Sequence, residues 1–203
     1  MEFFANVDDL ESLYGDVAPL AMRKETTIVT AEYRRLIEAS PFVVIATAGT
    51  GGLDCSPKGD AAGFVRVLDE HTLAIPDRRG NNRLDGLRNL LEDPRIAVLF
   101  LIPGVGETLR VNGTARITAD EELRASAAVK GTLPTVVTVV NVESVYFHCS
   151  KAILRSELWN PDRHVDRAFL PTPGQILESL TSGDLEATAT DTVYERCQVQ
   201  TLY

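Results

Sequence analysis

The chain has 203 residues, of which 44% are hydrophobic and 24% are charged, which are ordinary values for one globular domain with a substantial core. Its net charge of −9 at pH 7 argues against a nucleic-acid-binding protein, which usually carries a basic face. No apolar run approaches the ~20 residues of a membrane span, and the N-terminus lacks the pattern of a signal peptide, so we expect a cytoplasmic protein.

Residues 1–40 are predicted to be helical. Asn6 is a candidate N-cap for a short helix, and Thr30 is a candidate N-cap for a second one that Ser40 and Pro41 end. The apolar residues of both helices fall at helical spacing and indicate packing rather than chemistry. We therefore expect residues 1–40 to be an N-terminal helical extension packed on the rest of the domain.

Residues 41–150 are predicted to be rich in β-strands. Seven apolar or alternating runs separated by turn residues occur at 42–47, 53–58, 64–68, 73–75, 95–102, 107–118 and 135–148. In the sixth run, one face is apolar and the other face carries Thr108, Arg110 and Asn112. Six or seven antiparallel strands with short turns indicate a mainly β fold with peripheral helices, closed as a barrel.

The loop 76–83 reads Pro-Asp-Arg-Arg-Gly-Asn-Asn-Arg and lies between a predicted strand and a predicted helix that Pro94 closes. Helix N-termini and arginine side chains both favour anions, so the loop predicts a phosphate site. The alternative is a solvated turn. Residues 56–116 contain nine Lys and Arg against eight Asp and Glu, and this near-neutral centre in an acidic chain mildly favours the anion site.

The remaining segments offer few chemical signals. Helices are predicted at 120–130, 150–159 and 175–180, followed by a polar tail after Gly183. His71 falls in a turn, His148 and Cys149 are expected on opposite faces of a strand end, and His164 has no evident partner. The cysteines at 55, 149 and 197 show neither a zinc spacing nor a disulfide framework, so no metal site is expected.

An ordered set of segments resembles the pyridoxamine 5′-phosphate oxidase-like family of FMN-binding split β-barrels, in its predicted flavin-nucleotide-binding branch. The resemblance covers about residues 40–150, and the segments that carry it are 55–60, 63–64, 76–83, 89–94, 97–100, 109–115, 147–152 and 155–159. It implies an antiparallel split barrel at residues 41–150, with residues 151–203 as C-terminal helices and a tail that complete the same domain.

The resemblance further implies a homodimer with FMN at the subunit interface. Ser56 and Lys58 are then expected near the flavin ring and phosphate, and Asn82, Arg83 and, more weakly, Arg79 at the phosphate. The remaining cofactor-binding candidates are two residues expected from the other subunit and three from the C-terminal helix, namely Thr108, Arg110, Lys151, Arg155 and Trp159. For Lys58, Arg110 and Trp159, an exposed strand or ordinary packing is the open alternative.

The chain also departs from the oxidase itself. Asn81-Asn82-Arg83 replaces a serine-arginine-lysine turn, Thr108 replaces a glutamine, and the C-terminal run that binds pyridoxal phosphate has no counterpart. We therefore expect an FMN-dependent oxidoreductase acting on an unidentified small molecule, with no catalytic residue assigned, rather than pyridoxamine phosphate oxidase itself. The alternatives are a flavin-binding, storage or sensing module without turnover, and a relative that binds heme or deazaflavin.

Overall fold

The computed structural model describes residues 1, 3–200 and 202 of the chain. Seven antiparallel strands form one sheet in the spatial order β2-β1-β5-β6-β7-β4-β3. The strands are β1 Phe42–Gly49, β2 Gly52–Gly59, β3 Arg66–Asp69, β4 Thr72–Pro76, β5 Arg95–Leu101, β6 Thr108–Thr118 and β7 Val137–His148. The sheet curls around one core as a split β-barrel, which confirms the fold class predicted from the sequence.

Alternation along the strands fills that core. In β6 every second residue from Leu109 to Ala115 is buried, and the residues between them are half-buried on the outer face. Strands β1 and β5 supply Val43, Val98 and Phe100, each almost completely buried. Removing this apolar surface from water is the main term that stabilises the barrel.

A β-bulge between β6 and β7 changes which residues of β7 face the core. Asn112 pairs with Ser144 and Gly113 pairs with Val142, so Glu143 is an extra residue on β7. As a result Val142 and Val145 both point inward although their numbers differ in parity. Every later even-numbered residue of β7 consequently lies on the outer face.

The N-terminal segment forms helices α1 Val7–Glu11, α2 Pro19–Arg23 and α3 Ala31–Ala39. The predicted caps are present, because Asn6 accepts a hydrogen bond from Asp9 N and Thr30 accepts one from Tyr33 N. Helix α3 buries Tyr33 and Ile37 against the barrel, whereas α1 and α2 bury none of their residues. Within residues 1–40, α3 thus packs on the barrel, and the segment before it contributes Val29 to the core and a bridge from Thr26 to Val145.

The other helices are α4 Asp85–Glu92, α5 Glu121–Ser126, α6 Lys151–Ser156, α7 Pro173–Leu180 and α8 Ala187–Gln200, with 3₁₀ turns at Pro161–Arg163 and Arg167–Phe169. The helix expected to reach residue 130 ends at Ser126, because Ala127 leaves the helical conformation, and Lys130 and Gly131 have positive φ angles in the turn that follows. The tail after Gly183 contains α8, which pairs with α7. None of the helices within the described residues is long and apolar enough to cross a membrane.

Candidate functional site

The open side of the barrel contains a cavity of about 250 Å³ between β2, β4 and the start of α4. Its apolar wall comes from the barrel interior and from α4, and comprises Ile45, Ile75, Leu87, Leu90 and Ile96. Its polar wall comes from β2, from Asp77 and from residues 78–83. Four basic side chains line it against two acidic ones, so the cavity is more positive than the acidic chain around it.

Backbone pairing holds the beginning of the loop in place. Asp77 N donates to Val136 O at 2.9 Å, and Thr135 N donates to Asp77 O at 3.2 Å. Arg78 is fixed as well, because its Nε lies 2.6 Å from Asp60 Oδ2 and its Nη1 donates to Ala127 O at 2.7 Å. Since the Arg78 side chain is largely buried by these contacts, it braces the loop.

Arg79, like Arg78, lines both the main cavity and a second, adjoining cavity formed with residues 132–135. The two arginines differ in their partners. Within the described part of the chain, Arg79 has no hydrogen-bond or ion-pair partner. A guanidinium group at a cavity wall without a carboxylate partner is available to an anion.

The loop then turns into α4. Asn82 adopts a left-handed conformation with φ of 59°, and Arg83 N donates to Asn81 Oδ1 at 3.0 Å. Arg83 Nε is hydrogen-bonded to Asp85, and this bond and charge raise the pKa of Arg83. Leu84, the N-cap residue of α4, makes no side-chain capping bond, so the first backbone N–H groups of the helix lack that partner.

The two candidate residues on β2, Lys58 and Ser56, already have partners. Lys58 Nζ lies 2.6 Å from Asp77 Oδ1, and Ser56 Oγ donates to Asp54 at 2.9 Å. Gly86 of α4 approaches the same carboxylate closely, because a Cβ atom there would lie 2.6 Å from Asp54 Oδ2. Helix α4 therefore packs tightly on β2 and closes one end of the cavity.

The buried Asn89 fixes α4 to the β1–β2 hairpin. Its Nδ2 donates to Thr47 Oγ1 and to Gly52 O, both at 3.2 Å. Since Asn89 and Thr47 are both about 95% buried, the bond between them forms away from water. Both bonds of Asn89 set the position of the helix whose N-terminus faces the cavity.

The predicted cofactor-binding residues fall into two groups. Ser56, Lys58, Arg79, Asn82 and Arg83 all line the cavity. The other five candidates line neither cavity of the single chain, and are Thr108, Arg110, Lys151, Arg155 and Trp159. What either group binds stays a prediction.

The second group lies near one end of β6 and β7. Arg110 Nη1 donates to the hydroxyl of Tyr146 at 2.9 Å on the outer face of the sheet. Trp159 Nε1 donates to Val105 O at 2.8 Å and so holds the segment after α6 against the β5–β6 turn. Lys151 and Arg155 are exposed on α6.

The sequence reasoning overlooked several cavity residues. Thr47 and Thr138 face the interior from β1 and β7, and alternation with neighbouring apolar residues is the signal that could have found them. Asp54 and Asp77 carry no such signal, because their role depends on which cation the fold places beside them. Among the described residues, no group of three or more His, Cys, Asp or Glu side chains could hold a metal ion.

Parts of three solved structures are similar to part of this chain. HupZ from Group A Streptococcus is 23% identical over 60% of this chain and 94% of its own, with a TM-score of 0.48. General Stress Protein 26 from Bacillus anthracis is 16% identical over 56% of this chain and 88% of its own, with a TM-score of 0.42. The FAD binding protein from Mycobacterium smegmatis is 18% identical over 61% of this chain and 97% of its own, with a TM-score of 0.41.

No curated protein sequence matches the chain. The family model of pyridoxamine 5′-phosphate oxidase matches residues 29–149, which is more than half of the chain and runs from the residue before Thr30 to the residue after β7. The chain therefore belongs to the pyridoxamine 5′-phosphate oxidase family.

Proposed function

We propose that this protein binds FMN and acts as an FMN-dependent oxidoreductase on a small molecule. The observation that carries the proposal is the cavity at the open side of the barrel. There Arg79, which has no partner among the described residues, and the start of α4, which has no side-chain cap among them, face an aliphatic wall. A phosphate ester of a flat, apolar ring needs this combination of groups. Family membership supports the same assignment.

The residues fit the phosphate end of the cofactor. Arg79 supplies a free guanidinium group, Arg83 supplies N–H donors beyond the one that Asp85 uses, and Asn82 turns the backbone towards the helix start. Planar guanidinium groups bind phosphate in a bidentate manner and keep their charge at any physiological pH. We therefore assign the phosphate to the loop and the ring to the wall that includes Ile45 and Ile96.

The small size of the cavity supports the idea that a second copy of the chain contributes to the site. At about 250 Å³ it lies just below the roughly 300–1,000 Å³ typical of small-molecule pockets. The candidates Thr108, Arg110, Lys151, Arg155 and Trp159 do not line it within one chain. We propose that a second copy of the chain completes the site with these residues, so that the working unit is a homodimer.

Within this proposal the protein positions groups and excludes water, while the flavin supplies hydride transfer. The loop holds the phosphate, and the aliphatic wall keeps one side of the ring dry. No histidine, cysteine, methionine or tyrosine among the described residues lines the cavity, so it offers none of the usual axial ligands of heme. A flavin-storage or sensing module would bind FMN in the same way and differ only in turnover.

The test is an absorption spectrum of the purified protein and of the protein after addition of FMN, with mass spectrometry of the material released by heat. We expect flavin bands near about 450 nm, the mass of FMN, and bleaching by a reduced nicotinamide. If the protein binds FMN but no electron donor bleaches the flavin bands, the result would indicate a storage or sensing module. A colourless protein that fails to take up FMN contradicts the proposal, and a strict monomer that binds FMN contradicts its dimeric part.

A further inference from the structure

Lys24, Arg110, Tyr146 and His148 form a group on the outer face of the barrel, which we call the cation cluster. The rings of Tyr146 and His148 are 5.1 Å apart, and the Arg110 guanidinium lies 5.6 Å from the Tyr146 ring while bonding its hydroxyl. The β-bulge at Glu143 puts Tyr146 and His148 on this face. None of the four residues lines the two cavities described above.

Hydrogen bonds of the backbone around Lys24 hold this residue beside the other members of the cluster. Thr26 forms an antiparallel bridge with Val145, through bonds of 3.1 and 2.8 Å, and Lys24 O accepts from the Tyr33 hydroxyl at 2.5 Å. Lys24 Nζ then lies 4.9 Å from the Phe147 ring centroid and 5.9 Å from that of Tyr146. Contacts with aromatic rings hold the ammonium group, so it can turn to an anion without breaking an ion pair.

The cluster has positive charge and donors but no acid. None of the ion pairs among the described residues involves Lys24 or Arg110. His148 Nε2 is buried and has no hydrogen-bond partner in that part of the chain. A buried polar atom without a partner costs free energy and commonly marks a place where a ligand or another group completes the structure.

Electrostatics point in the same direction. Burial, together with the charges of Arg110 and Lys24, lowers the pKa of His148. An anion bound to these two cations would offset their charge at the imidazole and so favour its protonated form. In an acidic protein, a patch with two cations and no carboxylate partner among the described ion pairs is therefore suited to a small anion.

We propose that the cation cluster binds the carboxylate or phosphate group of a small anionic substrate. The identification of this ligand as a substrate rests on the proposed flavin function, whereas anion binding at the cluster does not. Lys24 and Arg110 hold the anion by charge-assisted hydrogen bonds, and His148 beside them gains a proton when the anion binds. The substrate class is thus an organic acid or a phosphate ester rather than a neutral or cationic molecule.

The test is an NMR titration of the imidazole groups against pH at constant ionic strength, with and without inorganic phosphate or acetate. The chain has three histidines, and removing the exposed His71 and His164 in turn assigns the signal of His148. We expect either probe to raise the pKa of His148 in a saturable way. The other two histidines serve as internal references for non-specific effects.

A matched pair of variants identifies the residues. Lys24→Met should weaken phosphate binding at His148 about two- to fivefold, as for a partly exposed charge, while Arg23→Met removes the same charge one residue away and should not. Equal effects of the two variants, or a His148 signal that responds no more than the other histidines, overturn the proposal. A His148 pKa that rises with protein concentration alone also overturns it and assigns the cluster to acidic groups of a second copy.

The flavin content of each sample is measured separately by absorption. His148 reports anion binding whether or not flavin is bound, so failure of the flavin proposal and failure of the anion proposal give different results. Because Arg110 is also a candidate flavin contact, the variants avoid it.

Discussion

Lys58 Nζ lies 2.6 Å from Asp77 Oδ1, and this ion pair joins β2 to the residue that directly follows β4 in the loop 76–83. The pair is partly shielded from water, with the two side chains 34% and 16% exposed. A phosphate that enters the cavity must share Lys58 with this carboxylate and tolerate its charge. Asp77 therefore opposes anion binding in the free protein.

Asp77→Asn should strengthen FMN binding about three- to fivefold, because the substitution removes a competing negative charge and leaves the backbone bonds of residue 77 intact. Fluorescence titration of FMN measures the change. Asp93→Asn is the control, since Asp93 pairs with Arg95 and does not line the cavity. Weaker binding in the Asp77 variant would show that the carboxylate positions Lys58 rather than competing for it.

Arg83→Ala should weaken FMN binding at least about tenfold, since a charge-assisted contact to phosphate is worth ~1.5–3 kcal/mol. Arg95→Ala is an unusually close control, because both arginine side chains are 79% exposed and each pairs with an aspartate two residues away. Only Arg83 lines the cavity. Equal affinities of the two variants for FMN would remove the start of α4 from the phosphate site.

The fold could be predicted because its signals are local. Alternation in β6 and the caps at Asn6 and Thr30 depend on residues close in sequence, and all are found in the structure. The bulge at Glu143 depends on how two strands meet, so the outward position of His148 could not be derived from β7 alone. Helix α8 was also not predicted, because its polar sequence shows no clear apolar face.

The candidate site was predicted in part for the same reason. The arginines and asparagines of loop 76–83 are visible as a local cluster, and Asn82 and Arg83 line the cavity, while their contact with a phosphate stays a prediction. The pairs Lys58–Asp77 and Arg78–Asp60 join residues far apart in sequence. Arg78 is therefore held in an ion pair and braces the loop, whereas Arg79 has no ion pair among the described residues and is available to an anion. The sequence alone cannot distinguish these two neighbouring arginines.

Asn89→Ala should destabilise the fold by about 1–3 kcal/mol, because it removes one buried and one partly buried hydrogen bond and leaves Thr47 Oγ1 and Gly52 O without this donor. Urea unfolding followed by circular dichroism measures the loss. Asn112→Ala is the control, since Asn112 is half-buried and donates one 3.3 Å bond to Ser144. If both variants lost the same stability, the bonds of Asn89 would not be the anchor of α4.

Gly113→Ala should destabilise the protein by at least about 3 kcal/mol, since a Cβ atom there would lie 1.9 Å from Asn141 O at the bulge. The atoms that this Cβ would meet all belong to the backbone of β7, so no side-chain rotation can relieve the clash. Gly51→Ala adds the same methyl group in open space and should change stability little. Denaturant unfolding of the two variants checks this, and an equally stable Gly113 variant would contradict the tight β6–β7 register.

The pH dependence of stability should include a contribution from His148. Burial and the charges of Arg110 and Lys24 lower the pKa of this imidazole in the folded chain, whereas an unfolded histidine titrates near about 6.5. Below that pH the unfolded chain takes up a proton that the folded chain does not. The contribution is therefore fully present above about pH 6.5 and is lost as the pH falls towards the folded pKa.

Urea unfolding at about pH 7 and about pH 5 tests this, in buffers free of phosphate and carboxylates. The urea midpoint of the wild type should fall further between the two pH values than that of His148→Gln, because only the wild type has the imidazole whose pKa is lowered on folding. The carboxylates are common to both proteins, so their contribution cancels in the comparison. His164→Gln removes an exposed imidazole and should behave as the wild type does. Parallel pH profiles for the wild type and the His148 variant would mean that folding does not favour the neutral imidazole. Adding phosphate should reduce any difference between the two profiles, because an anion beside Lys24 and Arg110 favours the protonated imidazole.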